Sequence, residues 1–423
     1  MFRPRRNAAA EPEAATPIRR RPGVDVSLTG LVYCSLMMFM GLAAINTQAN
    51  LLFGVFGLMI GIVLISLWIS GVVLKKLNLT RRLPDHAIVG QPTSVAYEFA
   101  NRKRFWPSVS VTVAELEGVE AFVKQPHGYL LHAAGGMSAT IPVELIPKRR
   151  GVHNLGLHQI STSFPFGFIK RAVERHIHDS LLVYPAIGHV EPKLLQQMRS
   201  AESTGPSVRP RRGGMDEFYG LKEFRTGESP RFIYWRRSAR TGTLVAREMT
   251  HVSPPRIMIL LDSQVRRRTP AAHADVELCI AMAASLASHA LEADLPVGLV
   301  AWSGEFRRVE PQRGKRHRRE ILTLLAQLPM NRDADSESLL SAAYEWLDGV
   351  ATPVLITPHP DADPRGGMLV IRPHTDQAER WFRFDPTIDF AHAMPPDQQL
   401  RFSGGFDVVP VESPSVAGGQ ASR

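Results

Sequence analysis

Residues 28–45, LTGLVYCSLMMFMGLAAI, carry no charged side chain. After the polar connector NTQAN, residues 51–74, LLFGVFGLMIGIVLISLWISGVVL, carry none either. Each run reaches the roughly 17–25 residues that a helix needs to cross a bilayer, and the short uncharged connector suits a tight hairpin. Arg3, Arg5, Arg6, Arg19, Arg20 and Arg21 precede the first run, and Lys75, Lys76, Arg81 and Arg82 follow the second. By the positive-inside rule both ends are expected in the cytoplasm, with the connector on the far side. A cleaved signal peptide would have a shorter basic leader and no longer apolar run directly behind it. Buried helices of a soluble core would show polar positions at helical spacing, and these runs show almost none. The expectation is a basic cytoplasmic N-terminus over residues 1–26 and a two-helix membrane anchor over 27–75.

A chain of 423 residues has room for two or three domains, each able to bury its own core. The net charge of +10 and the pI near 9.9 call for an anionic neighbour, nucleic acid or an acidic lipid surface. With only Cys34 and Cys279, both in apolar runs, no disulfide framework follows, and the soluble part is expected in a reducing compartment.

Beyond the anchor the pattern shortens. TSVAYEFAN (93–101), SVSVTVAEL (108–116) and MSATIPVEL (137–145) alternate apolar and polar residues between turn-forming residues, and HNLGLHQISTS and DSLLVYP follow. This predicts an antiparallel β-sandwich over residues 83–190. Residues 191–217 are polar, with no hydrophobic period, and read as a flexible linker. From 255 to 375 apolar runs such as RIMILLDS and TPVLITP alternate with helical patterns such as DVELCIAMAASLASHALEAD and RREILTLLAQL. That rhythm predicts a doubly wound α/β domain with its active face where strands end, which puts Asp262 at the mouth. Residues 376–423 read as an irregular tail. The fold class expected is an α+β multidomain membrane protein.

Between sandwich and α/β domain, residues 218–250 hold EFRTGESPRFIYWRRSARTGTLVARE. Arg225, Arg231, Arg236, Arg237, Arg240 and Arg247 gather there around Trp235, with Gly227 in the first turn. Three uses compete. Arginines interleaved with Phe232, Tyr234 and Trp235 suit nucleic acid in principle, but no nucleic-acid-binding module is recognisable, so that partner is disfavoured. A phosphate clamp would need a glycine-rich loop opening a helix, and each turn here has one glycine and no Lys-Ser/Thr. Ser238 has no base partner in sequence view and reads as a loop hydroxyl. The third use is packing and docking: Trp235 is expected to bury against the α/β domain, with Glu223, Glu228 and Glu248 neutralising some arginines. The residues put forward for a protein partner are Arg225, Gly227, Arg231, Trp235, Arg236 and Arg240.

RRGVHNLG (149–156), PFGF (165–168), VYP (183–185) and then FRTGESPRFIYWRRSARTGTLVARE resemble the bacterial domain of unknown function 58 family. Arg225, Gly227, Arg231, Ile233, Trp235, Ala239, Arg240 and Leu244 fit its central pattern. Glu228 stands where the family usually has Asp, Tyr234 precedes the Trp, and FPFGF replaces the usual DPFGL. The resemblance implies a von Willebrand factor A-like C-terminal domain, a bacterial inner-membrane location, and a protein partner, an AAA+ ATPase of the MoxR type. It does not imply a reaction. The function expected is a membrane-anchored adaptor or co-chaperone that is not an enzyme. The alternative is an enzyme of cell-envelope metabolism with its site at the α/β mouth.

Metal-binding members of the von Willebrand A class present Asp-x-Ser-x-Ser, a Thr and a second acid to Mg²⁺, a hard cation that wants oxygen ligands. Here the loop reads DSQVR: Asp262 is kept, while Gln264 and Arg266 hold the serine positions, and Pro358 follows Thr357 where the second acid would stand. Asp262 is therefore a degenerate metal-site position, paired as readily with Arg266, and no metal or other cofactor is expected. His176 and His178 share a strand face without a third ligand and read as solvated. His289 reads as an ordinary buried or boundary histidine. The run RGKRHRRE (313–320) opens a helix as a solvated face, with anionic lipid in reach at the basic flanks.

Overall fold

The computed structural model describes residues 23–204, 212–225, 229–250, 256–267, 269–302, 306–330, 336–346, 351–362 and 368–392. The chain divides into two units. One comprises Met1–Asp85, Pro92–Ile146 and His153–Leu181, the other His86–Gln91, Pro147–Val152 and Leu182–Arg423. The first half runs β1 (Gly23–Val26), α1 (Leu28–Thr47), α2 (Asn50–Leu74), β2 (Leu77–Arg82), β3 (Ala87–Ile88), β4 (Thr93–Asn101), β5 (Ser108–Glu115), β6 (His127–Ala133), β7 (Ser138–Leu145), β8 (Gly151–Thr162) and β9 (Ile169–Tyr184).

In the first unit α1 and α2 form the expected apolar hairpin, and their most apolar windows are only 17% and 11% buried. The pair is joined where side chains are smallest: a Cβ on Gly41 would come within 2.9 Å of the Phe56 ring. The Tyr33 hydroxyl donates to the Met59 carbonyl at 3.3 Å. Ser27 caps α1 by accepting from the Gly30 N–H at 3.0 Å. At the far end of α2 the last carbonyls would lack partners. Lys103 shares in supplying them, its Nζ donating to Val72 O at 3.0 Å and Val73 O at 2.8 Å, beside the Lys75 N–H on Val72 O at 3.3 Å and the Ser108 hydroxyl on Val73 O at 2.8 Å. A cation there also complements the helix dipole.

The sandwich pairs a sheet of order β2-β4-β7 with one of order β1-β9-β8-β5-β6. The strands expected at 93–101, 108–116 and 137–145 appear as β4, β5 and β7, and Val95, Tyr97 and Phe99 alternate into the core. Arg81 of β2 bridges the sheets. Its Nη1 lies 2.8 Å from Glu115 Oε1, its Nε donates to Asp179 at 3.0 Å, and its Nη2 donates to the Leu155 carbonyl. Tyr97 completes the cluster by donating to Glu115 at 2.6 Å. Burial raises the Tyr97 phenol pKa far above its ordinary value, and the Glu115 carboxylate reinforces it.

The second half runs β10 (His189–Val190), α3 (Pro192–Thr204), β11 (Arg212–Glu223), α4 (Trp235–Thr241), β12 (Val245–Thr250), β13 (Arg256–Leu261), α5 (Pro270–Glu292), β14 (Val297–Trp302), β15 (Phe306–Gln312), α6 (Lys315–Gln327), α7 (Ser336–Trp346), β16 (Ala351–Ile356), β17 (Leu369–Ile371), α8 (Asp376–Trp381) and β18 (Phe382–Arg383). Its main sheet has the order β15-β14-β13-β16-β17, parallel except for β15 at the edge. Helices cover both faces. Ile257, Ile259 and Leu261 pack into one core with α5 and α6, while Met258 and Leu260 meet Leu339, Leu340 and Ala343 of α7 on the other. Although α5 is long and apolar enough to cross a membrane, its window is 72% buried, which marks it as the core helix.

Three sequence expectations need correction. The stretch 191–217, read as a linker, holds α3 and the start of β11, because Leu194 and Met198, four residues apart, bury one helical stripe in the core. The tail from 376 is not irregular at its start: α8 forms under the Thr375 cap, and β18 pairs with β10, burying Phe382. Beyond residue 392 it lies outside the described residues. Finally, the basic run 313–320 is not wholly a solvated face. His317 is buried with its Nε2 donating to the Val297 carbonyl at 2.7 Å, and Arg318 pairs with Glu292 at 2.8 Å.

Candidate docking surface

β11 and β12 pair antiparallel, and residues 224–244 form the excursion between them. Two backbone ties close it: Phe224 N–H donates to Leu244 O at 2.8 Å, and Tyr234 N–H to Val245 O at 2.8 Å. Within it a single 3₁₀ turn over Pro230–Phe232 leads through Ile233, which bridges to Ala246, into α4. Gly242, at φ 73°, ends α4 in the left-handed conformation that favours glycine, its N–H donating to Ser238 O at 2.9 Å. Ser238 is not the loop hydroxyl expected. It sits on α4, 7% exposed, accepts from the Val245 N–H at 2.9 Å and donates to Tyr234 O at 3.1 Å. Its oxygen pins helix to strand, a structural role.

This pinning turns the charged residues outward. Arg225, Arg231, Arg236, Arg237, Arg240 and Arg247 are all exposed. Trp235 is 64% exposed, which overturns the expectation that it buries against the α/β domain. The inward positions are taken by Ile233, Ser238 and Ala246 instead. Arg247 lies over the Tyr234 ring, 4.8 Å from its centroid. Among the described residues no acid pairs with Arg225, Arg231, Arg236, Arg237 or Arg240. Gly227 and Glu228 lie outside the described residues, as does the Glu248 side chain.

A second arrangement stands at the carboxyl ends of β13 and β16, the point where neighbouring connections leave in opposite directions. Asp262, 4% exposed, accepts from the Thr357 hydroxyl at 2.8 Å on one oxygen and from the Gln264 N–H at 3.0 Å on the other. His359 Nε2 lies 4.0 Å from Asp262 and donates to the Gln264 carbonyl at 3.1 Å. Burial pushes the His359 imidazole pKa down, against the opposing pull of Asp262. Arg266 turns to Asp361, at 3.0 Å, rather than serving Asp262 as its salt-bridge partner. A cleft of about 410 Å³ opens beside them, lined by Gln264, Arg266, Arg267, Asp275 and His359 among others. One carboxylate with both oxygens engaged, flanked by two arginines and an imidazole, is a donor set that does not suit a hard divalent cation.

In the sequence His359 is marked only by the Thr-Pro-His run that closes an apolar strand. His176 and His178 are exposed on β9, as expected, and His289 is a boundary residue donating to Gly188 O at 3.0 Å.

Residues 220–353 match the family model described as protein of unknown function DUF58. The matched stretch covers less than half of the chain. It begins in β11, takes in the whole arginine–tryptophan excursion and Asp262, and ends inside β16, so Thr357 and His359 lie just past the DUF58 match. No curated protein matches the chain. Among solved structures, a β-glucosidase from Listeria innocua in complex with glucose is similar over 25% of this chain and 16% of its own, at 14% identity and a TM-score of 0.14. A likeness that short and that loose carries no argument about the DUF58 segment or the rest.

Proposed function

We propose that this chain is a membrane-anchored protein-interaction module whose 218–250 segment docks an AAA+ ATPase of the MoxR type, as adaptor or co-chaperone in the maturation or assembly of other proteins. The observation that carries the reading is Trp235, 64% exposed, amid arginines that have no acidic partner among the described residues. Tryptophan and arginine are the side chains that most often dominate protein interfaces. The ATPase comes from the family resemblance. The α/β domain is read as a von Willebrand A-like fold in a metal-free, protein-binding version, and the chain as an inner-membrane protein of bacteria with its soluble domains in the cytoplasm. The apolar hairpin and its basic flanks support that location.

Co-purification from detergent-solubilised native membranes tests this, with partners identified by mass spectrometry. An AAA+ ATPase should be recovered with the native chain and lost with Arg231→Ala/Trp235→Ala. Its recovery with both would leave the adaptor and discard the surface, and its absence from both would discard the adaptor.

A second reading, an enzyme of cell-envelope metabolism, rests on the His359–Asp262 pair beside the cleft. Activity abolished by His359→Ala with partner recovery unchanged would favour it.

A further inference from the structure

We propose that two aromatic loops of the sandwich, one beside each anchor helix, are immersed in the headgroup region of the bilayer and seat the sandwich on the membrane surface. The inference rests on reading α1 and α2 as membrane spans.

The first loop joins β4 to β5 and reads RKRFWP over residues 102–107. Phe105 is 78% exposed and Trp106 50% exposed. Trp106 does not stand alone in solvent: it meets Trp68 of α2 edge to face, ring centroids 5.6 Å apart. Trp68, itself 58% exposed, lies six residues before the end of α2. At 1.5 Å per residue that is about 9 Å in from the helix end. A span ending at Leu74 therefore carries Trp68, and Trp106 with it, at the boundary where tryptophan is enriched in membrane proteins. The loop cannot swing away, because Lys103 within it is tied to the Val72 and Val73 carbonyls. Arg104 lies over the Phe105 ring at 5.0 Å, and Arg102, Lys75 and Lys76 are exposed beside it. That collar suits the phosphates of anionic lipids.

The second loop joins β8 to β9 and reads SFPFGF over 163–168. Phe168 stacks on Tyr33 of α1 at 4.3 Å, and Phe166, 49% exposed, stacks on Phe168 at 5.7 Å. Ser27 at the start of α1 holds the loop, its N–H donating to Phe168 O at 2.9 Å. Gly30 leaves the space for it, since a Cβ there would collide with the Phe168 carbonyl. Exposed aromatics are ordinary one at a time. Here they cluster on two loops, each with an aromatic ring against one of an anchor helix and one loop ringed with basic residues, which is the make-up of an interfacial membrane contact.

Tryptophan quenching in the full chain tests this in vesicles of phosphatidylcholine and phosphatidylglycerol. Trp235, Trp302, Trp346 and Trp381 are changed to Phe, and then either Trp68 or Trp106, so that one indole reports alone. The Trp106 reporter should shift to the blue and lose emission to lipids brominated high on the acyl chain, at a depth on the order of 5–10 Å. Loss at Trp68 without loss at Trp106 would overturn the seating and leave the anchor, as would a protein rather than lipid covering the loop. Loss at neither would overturn both. Should the multiple variants not fold, Phe105→Cys in a Cys34→Ala chain carries a nitroxide instead. Greater access to oxygen than to a water-soluble nickel chelate supports immersion, and the reverse overturns it.

Discussion

Arg150 and Glu277 stand 127 positions apart in the chain and meet at 2.7 Å, with side chains 1% and 3% exposed. The other guanidinium nitrogens are also engaged, Nε donating to Leu325 O at 3.2 Å and Nη2 to Leu328 O at 2.6 Å. Burial drives the Glu277 carboxyl pKa up to about 7 even with the guanidinium holding it down. Such a pair contributes little as a unit but a great deal when halved. Glu277→Ala is expected to cost about 3–5 kcal/mol, because it strands a buried cation. Arg150→Met/Glu277→Leu should recover most of that. Denaturant midpoints of the solubilised full chain decide it, and a single-variant cost under about 1 kcal/mol would mean water reaches the pair.

His158 gives the sandwich a dependence on acid. It is 1% exposed, its Nε2 has no hydrogen-bond partner among the described residues, and burial, with Arg81 and Arg175 adding to it, lowers its pKa from 6.5 to about 4. Between those values the unfolded chain binds a proton that the folded chain refuses, so stability falls as pH drops through 6.5 and levels off near 4. The native chain should therefore lose more Tm than His158→Asn between pH 7 and pH 4.5. Parallel profiles for the two would sink the assignment.

Ser238 and Trp235 are three residues apart and should separate cleanly. Ser238→Ala strands the Val245 N–H and is expected to cost about 1–3 kcal/mol. Trp235→Ala, at an exposed position, should stay within about 0.5 kcal/mol of the native chain while abolishing recovery of the ATPase. Equal destabilisation by the two would return the tryptophan to a packing role.

Lys103→Met keeps much of the side chain's bulk and removes its donors from Val72 and Val73. A loss of about 1–3 kcal/mol is expected, read as a lower Tm in detergent. An unchanged Tm would show that the Ser108 hydroxyl, 2.8 Å from the Val73 carbonyl, and the Lys75 N–H, 3.3 Å from the Val72 carbonyl, suffice at the helix end.

Asp262, with Thr357 and the Gln264 N–H on its two oxygens, should not recruit Mg²⁺. Equilibrium dialysis of the full chain is expected to give less than stoichiometric Mg²⁺ or Mn²⁺. Stoichiometric binding abolished by Asp262→Ala would contradict the donor-set argument.

The elements legible in the sequence are those with a clear apolar pattern: β4, where Val95, Tyr97 and Phe99 alternate into the core, the near-continuous apolar run of β13, buried on both faces, and the two long apolar helices. What escaped was held by pairs far apart. α3 shows only Leu194 and Met198 as its stripe, and β18 exists because β10 lies beside it. At the candidate surface, residue types were readable and orientation was not. Nothing local distinguishes a tryptophan that packs from one that presents itself, and Ser238's bond to Val245 decides which way α4 turns.

His86–Gln91 and Pro147–Val152 belong to the second unit although sandwich strands surround them in the chain. Arg150 finds the Leu328 carbonyl 178 positions later. At roughly 5–20 residues per second of synthesis, the arginine waits on the order of ten to thirty seconds for its partner to be made. A fragment starting at Leu182 would leave Glu277 in its core without the Arg150 guanidinium that meets it, so the segment Pro147–Val152 is part of the second unit's own core.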